Sequence, residues 1–112
     1  MNDMVNLEKA FHYLKTTAAT YAKNKAQAEY LKEFRKSKKA LLIIEAEQQG
    51  LKTGQERESY AYSHKEYMEL LEGLRAATEE AEKYRIMVKT AELQIEVWRS
   101  QNSRSVAEMK LR

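Results

Sequence analysis

Proline is missing from this chain, and only three of its 112 residues are glycine. With nothing to remove a backbone donor or break the ladder, helices can run long. Cysteine is missing too, which excludes a disulfide framework and a thiolate metal site. Apolar runs are short: the longest, Ala40 to Ile44, falls far below the ~20 residues that span a bilayer. The opening Met1-Asn2-Asp3-Met4 has no basic stretch leading into an apolar one, so no secretory signal is expected. Together these absences point to a cytoplasmic chain with no membrane partner.

Histidine is confined to His12 and His64. Glu8 and His12 have metal-compatible i, i+4 spacing, but a zinc site needs three or four ligands and nothing converges on them. His64 sits inside a helix-capping sequence, where a structural role is expected. No glycine-rich phosphate loop, nucleophile motif or paired His-carboxylate arrangement is present. The expectation is a protein that is not an enzyme and takes no metal and no cofactor.

What the chain does have is charge, a third of all residues, with abundant Ala, Glu, Lys, Leu and Arg. That composition marks long helices and coiled coils. The pattern predicts an all-α fold in one domain: a long helix over about 3–48, a connection over 49–63, a second long helix over about 64–102, and a tail over 103–112. In the first helix Met4, Leu7, Phe11, Leu14, Ala18 and Tyr21 follow a 3-4 spacing, the seam of a coiled coil. Lys25 takes the next seam position before Ala28, and the stripe resumes shifted at Leu31, Phe34, Lys38 and Leu41. That shift reads as a three-residue stammer.

Leu41, Leu42, Ile43 and Ile44 are apolar on every side, so neighbouring subunits are expected to cover them. Gly50 suits a left-handed cap. Thr53 to Glu56 has the capping-box pattern, with a short helix after it, and Ser63 to Glu66 repeats the box at the start of the second long helix. That helix carries a 3-4 spacing without a fault: Tyr67, Leu70, Leu74, Ala77, Ala81, Tyr84, Val88, Ala91, Ile95, Trp98 and Asn102. Leu70, Leu74, Tyr84, Val88, Ile95 and Trp98, with residues 41–44, are the expected oligomerisation residues. Periodicity alone leaves open whether the seams pair within one chain or between chains.

The net charge of +3 is unevenly spread, and residues 1–50 carry nine Lys or Arg against six acids. On a helix Lys25, Lys32, Arg35, Lys36 and Lys39 fall on one face, with Lys38 beside them, and few acids stand at i±4 to neutralise them. A stripe of this kind can follow a phosphate backbone through salt-dependent, sequence-blind contacts. It can equally be the solvated face of a coiled coil. Tyr13, Tyr21, Tyr30, Tyr60 and Tyr62 interleave with the charges, and bases can stack on such rings; packing is the expected role for Tyr21 and Tyr30, which makes Tyr60 and Tyr62 the better stacking candidates.

Lys38-Lys39-Ala40-Leu41-Leu42-Ile43-Ile44-Glu45-Ala46, followed by Leu51-Lys52, resembles the UvsY family of bacteriophage recombination mediators. The family shows a Lys-Lys pair running into an apolar stretch that ends Ile-Glu-Ala, then a Leu-Lys pair and a second helix with a late tryptophan, matched here in outline by Leu93-Gln94 and Trp98. The detailed likeness covers about fifteen residues. It implies a ring-like homo-oligomer that binds single-stranded DNA in the cytoplasm of a phage-infected bacterium. It further implies help in loading a RecA-like recombinase onto DNA covered by single-strand-binding protein. By the same likeness Lys52 matches a DNA-binding residue. Gly54 stands where the family usually has arginine, and Arg57, one helical turn on, can take that part. The expectation is therefore an oligomeric DNA-binding accessory of recombination. The alternative is a structural or adaptor coiled coil whose partner is another protein helix.

Overall fold

A computed structural model of the chain describes residues 6–111. Three helices hold most of the described residues, with no strand among them: α1 (Leu7–Gln48), α2 (Gly54–Ser63) and α3 (Lys65–Leu111). The expected start of the first helix near Asp3, and the seam residue Met4, lie outside the described residues. Asn6 caps α1, its side-chain oxygen accepting the Lys9 amide at 2.9 Å, which satisfies one of the donors a helix start leaves open.

Gly50 ends α1 as its composition implies. Its φ is +92°, its amide donates to the Glu47 carbonyl at 3.0 Å, and the Leu51 amide reaches back to the Ala46 carbonyl at 3.1 Å. These two bonds form a Schellman cap. Thr53 then caps α2, its hydroxyl accepting the Glu56 amide at 3.1 Å. The hydroxyl proton points to the Glu56 carboxylate at 2.9 Å, so Glu56 does not make the reciprocal bond of a full capping box.

A single residue, His64, separates α2 from α3. Sequence pattern assigns the cap of α3 to Ser63, but the Ser63 hydroxyl donates to the Ser59 carbonyl at 2.6 Å. The cap is His64 instead, whose Nδ1 accepts the Glu66 amide at 3.1 Å. The expected tail over 103–112 is also corrected, because α3 continues to Leu111. Ser and Asn cost only tenths of a kcal/mol each in an exposed helix, and no proline or glycine follows Gly73 to stop it.

The chain divides into two compact units, Lys23–Ala81 in one, and in the other the described residues up to Ala22 with those from Glu82 onward. Within each unit α1 and α3 pair antiparallel. Lys38 meets Glu66 in the first, and Tyr21 lies beside Arg85 in the second. In both units the helices that pair belong to one chain.

On α3 the covered positions are those of the faultless seam from Tyr67 to Ile95. On α1 they run Leu7, Ala10, Leu14, Thr17, Tyr21, Asn24, Ala28, Leu31, Arg35, Lys38 and Leu42, an unbroken 3-4 repeat. The expected stammer is absent. Phe11, Ala18 and Lys25 are exposed, and Ala10, Thr17 and Asn24 take their places. Small residues at these points let two helices approach closely, which a bulky phenylalanine would prevent.

Leu42, Ala61 and Tyr67 form the core of the Lys23–Ala81 unit, with Ile43 packed against them and the Tyr62 ring edge-on to Tyr67 at 5.6 Å. Burying a leucine of this kind stabilises the fold by about 1.5–3 kcal/mol. Within one chain the expected oligomerisation residues divide into covered and exposed positions. Leu42 and Ile43 are covered within the chain, and Leu70, Leu74, Tyr84, Val88 and Ile95 lie half-buried on the seam of the hairpin. Leu41, Ile44 and Trp98 stay exposed.

Candidate interaction faces of α1

The seam of α1 has two flanks, and their chemistry differs. One flank carries Lys25, Lys32 and Lys39, each one position after a seam residue and two helical turns apart. Lys36 stands further round on the same side. Lys25, Lys32 and Lys36 are exposed and Lys39 is half-covered. Arg35 and Lys38 occupy the seam itself and are half-buried. The structure therefore does not place all the predicted cations on one open face.

Acids and a phenol take up several of them. Lys36 pairs with Glu33 at 3.2 Å, an exposed contact of small energetic value. Lys38 pairs with Glu66 at 2.8 Å, and its hydrogen bond is the main reason the Glu66 carboxyl is held below its ordinary range. Lys39 donates to the Tyr62 hydroxyl at 2.5 Å and lies 3.9 Å from Glu58. The Tyr62 contact is the first cause that raises the Lys39 pKa.

Arg57, one of the two basic residues near the connection, is structural. Its Nε donates to the Leu51 carbonyl at 2.8 Å, and its guanidinium lies 3.9 Å from Glu47, so it braces the turn that Gly50 opens. Lys52, Lys25, Lys32 and Arg35 make no side-chain hydrogen bond or ion pair among the described residues. Lys25 and Lys32 are the open cations of the stripe, about 10.5 Å apart along the helix.

The opposite flank is apolar; sequence reasoning named its Leu41 and Ile44 but missed the stripe that joins them to Tyr30 and Phe34. Tyr30 is 60% exposed, Phe34 37%, Leu41 58% and Ile44 51%. Tyr30 stacks on Phe34 with ring centroids 5.9 Å apart. With Ser37 between them, these residues follow a 4-3-4-3 spacing, a second coiled-coil stripe beside the first. Leu31 and Lys38 belong to the buried seam, whereas Phe34 and Leu41 belong to this outer stripe. Reading them as one line created the apparent stammer. The missed signal was that the apolar positions of this segment fit two parallel 3-4 lines.

A polar cluster closes the hairpin end of the Lys23–Ala81 unit. The Glu45 carboxylate accepts the Tyr60 hydroxyl at 3.0 Å and faces His64 Nε2 at 3.6 Å. Gln49 donates to Tyr60 at 3.1 Å. Burial is the first cause that raises the Tyr60 pKa, followed by its bond to Glu45. Tyr60 is thereby committed to the fold. Tyr13 is also occupied by packing, with its hydroxyl buried and unpaired. Tyr62, 48% exposed, holds Lys39.

No three His, Asp or Glu side chains among the described residues converge as metal ligands, and no helix among them is long and apolar enough to cross a membrane. Comparison with family models, curated proteins and solved structures returns no match.

Proposed function

We propose that this chain is a non-catalytic accessory protein of phage DNA recombination that assembles through its helices and holds single-stranded DNA on the Lys25–Lys32 flank of α1. The observation that carries this reading is the separation of the two flanks: unpaired lysines on one side of the seam, apolar side chains on the other. Copies joined through the apolar flank keep their lysines free for a shared strand. The likeness of residues 38–52 to the UvsY family adds the recombination setting, with a RecA-like recombinase and single-strand-binding protein as further partners.

Magnitudes set the mechanism. Two or three open cations per chain give a salt slope of roughly −1.4 to −2.1 for a single strand, since each neutralised phosphate contributes about 0.7. One copy alone would bind weakly. Several copies on one strand multiply the contacts, and the effective concentration of each follows from the assembly. The protein then acts as a scaffold that organises the strand and passes it on.

Fluorescence polarisation with a labelled oligonucleotide at low and moderate salt tests this. Wild type binds at low salt, and Lys25→Glu with Lys32→Glu loses affinity on the order of tenfold or more while its mass by light scattering is unchanged. Wild-type protein that fails to bind at low salt dismisses the DNA reading. The second reading, an adaptor for a partner protein helix, is favoured by the acids and phenol that occupy Lys36, Lys38 and Lys39. An adaptor keeps its partner in the Lys25 and Lys32 double variant.

A further inference from the structure

We infer that the outer stripe Tyr30, Phe34, Ser37, Leu41 and Ile44 is an antiparallel self-pairing surface, on which α1 of a second copy docks about a two-fold axis at Ser37. This deepens the assembly part of the proposed function and rests on that part alone, not on DNA binding.

Spacing identifies the kind of occupant. Large apolar side chains repeating 4-3-4-3 match the seam of another α-helix, not a flat sheet or an extended peptide. The order of residues identifies which helix. Counted outward from Ser37, the stripe reads Phe34 and Tyr30 on one side and Leu41 and Ile44 on the other, a near-palindrome of large, large, small, large, large. An antiparallel copy sets Tyr30 against Ile44 and Phe34 against Leu41, so each aromatic ring meets an aliphatic side chain. A parallel copy would place ring on ring and aliphatic on aliphatic, a less even fill of the interface. The small Ser37 at the axis lets the two backbones approach, and an isologous contact of this form closes on itself.

Area agrees with a dimer. The four large side chains present on the order of 400 Å² of apolar surface, within the range of the largest patch on a monomer, which is often functional. Burial of this patch on both copies removes about 800 Å² before the flanking polar side chains are counted, against the ~1,000 Å² that a specific interface clears. A need for it is also visible, since Leu42 and Tyr67 are the only large apolar side chains buried within one chain among the described residues.

Ser37→Cys tests this in a chain that has no cysteine of its own. Under mild oxidation the variant is expected to convert mostly to a covalent dimer, whereas Lys32→Cys on the opposite flank stays monomeric on a non-reducing gel. Tyr30→Cys mixed with a size-tagged Ile44→Cys should give the mixed dimer in preference to either self-dimer. Leu41→Glu should bring the mass in light scattering down to one chain with helicity unchanged by circular dichroism. Self-dimers of Tyr30→Cys in preference overturn the antiparallel geometry. Failure of Ser37→Cys to cross-link overturns the surface itself. If wild type is then still oligomeric, assembly runs through another face: the apolar flank falls as the joint between copies, and the oligonucleotide titration decides the DNA part of the proposed function. If wild type is monomeric, its assembly part falls with the inference, and the oligonucleotide titration reports separately on DNA.

Discussion

At the scale of single residues, Gly50 and Tyr13 show what the fold tolerates and what it does not. Gly50 has φ +92°, and a Cβ added there meets nothing within 4 Å. The cost of Gly50→Ala is therefore backbone strain alone, about 1–2 kcal/mol, read as a lower midpoint in urea denaturation with no change in slope. Tyr13 presents the opposite case. Its buried hydroxyl has no partner, an arrangement that costs roughly 1–3 kcal/mol in lost hydration. Tyr13→Phe removes the unpaired group and keeps the ring, so the same titration should show equal or higher stability. His64 belongs to this scale too. With Nδ1 accepting the Glu66 amide, the ring proton lies on Nε2 and faces Glu45.

At the scale of elements, α3 carries a glycine that its geometry does not use. Gly73 sits in the helix interior, and an added Cβ meets nothing within 4 Å. Gly73→Ala should stabilise the chain by about 0.5–1 kcal/mol through helix propensity, measured as a rise in melting temperature. The helices themselves were legible because long 3-4 repeats without proline permit little else. The seam of α3 was legible because it has one apolar line. That of α1 was not, because Phe11 and Lys25 keep the 3-4 spacing without being buried, while Ala10, Thr17 and Asn24 are too small or polar to read as core. Hydrophobicity ranks Phe11 above Ala10, but close helix packing selects for size. The candidate site was legible only in part for a related reason. A basic run shows in sequence, but the acids that occupy it come from elsewhere. Glu66 and Glu58 are 28 and 19 positions away from Lys38 and Lys39 respectively, and no local spacing rule brings them there.

At the scale of the whole molecule, charge ties stability to pH. Lys38 holds Glu66 below its ordinary value of 4.5, and Arg75 and Arg85 do the same for Glu72 and Glu82. Groups whose folded pKa is lowered contribute stability above the unfolded value and lose it as pH falls through the folded one. Melting temperature should hold steady from pH 7 to about 5 and then decline below the ordinary carboxylate range. Glu66→Gln, which removes the one of these three pairs that joins α1 to α3, should melt lower at pH 7 and decline less on acidification. A variant whose acid limb matches wild type would show that this pair contributes nothing measurable.

The unit that contains Tyr21 and Arg85 is unevenly closed. By the register of that pair, Leu7 stands opposite the neighbourhood of Arg99, and residues 102–111 of α3 are all exposed. Their exposure leaves these turns little besides the helix's own backbone bonds to hold them. Hydrogen-deuterium exchange should find these amides the fastest to label in either long helix. The single tryptophan, Trp98, lies by the same register opposite the first turn of α1. Its emission is a built-in gauge of whether α1 and α3 are zipped or splayed within this unit, and it needs no added dye.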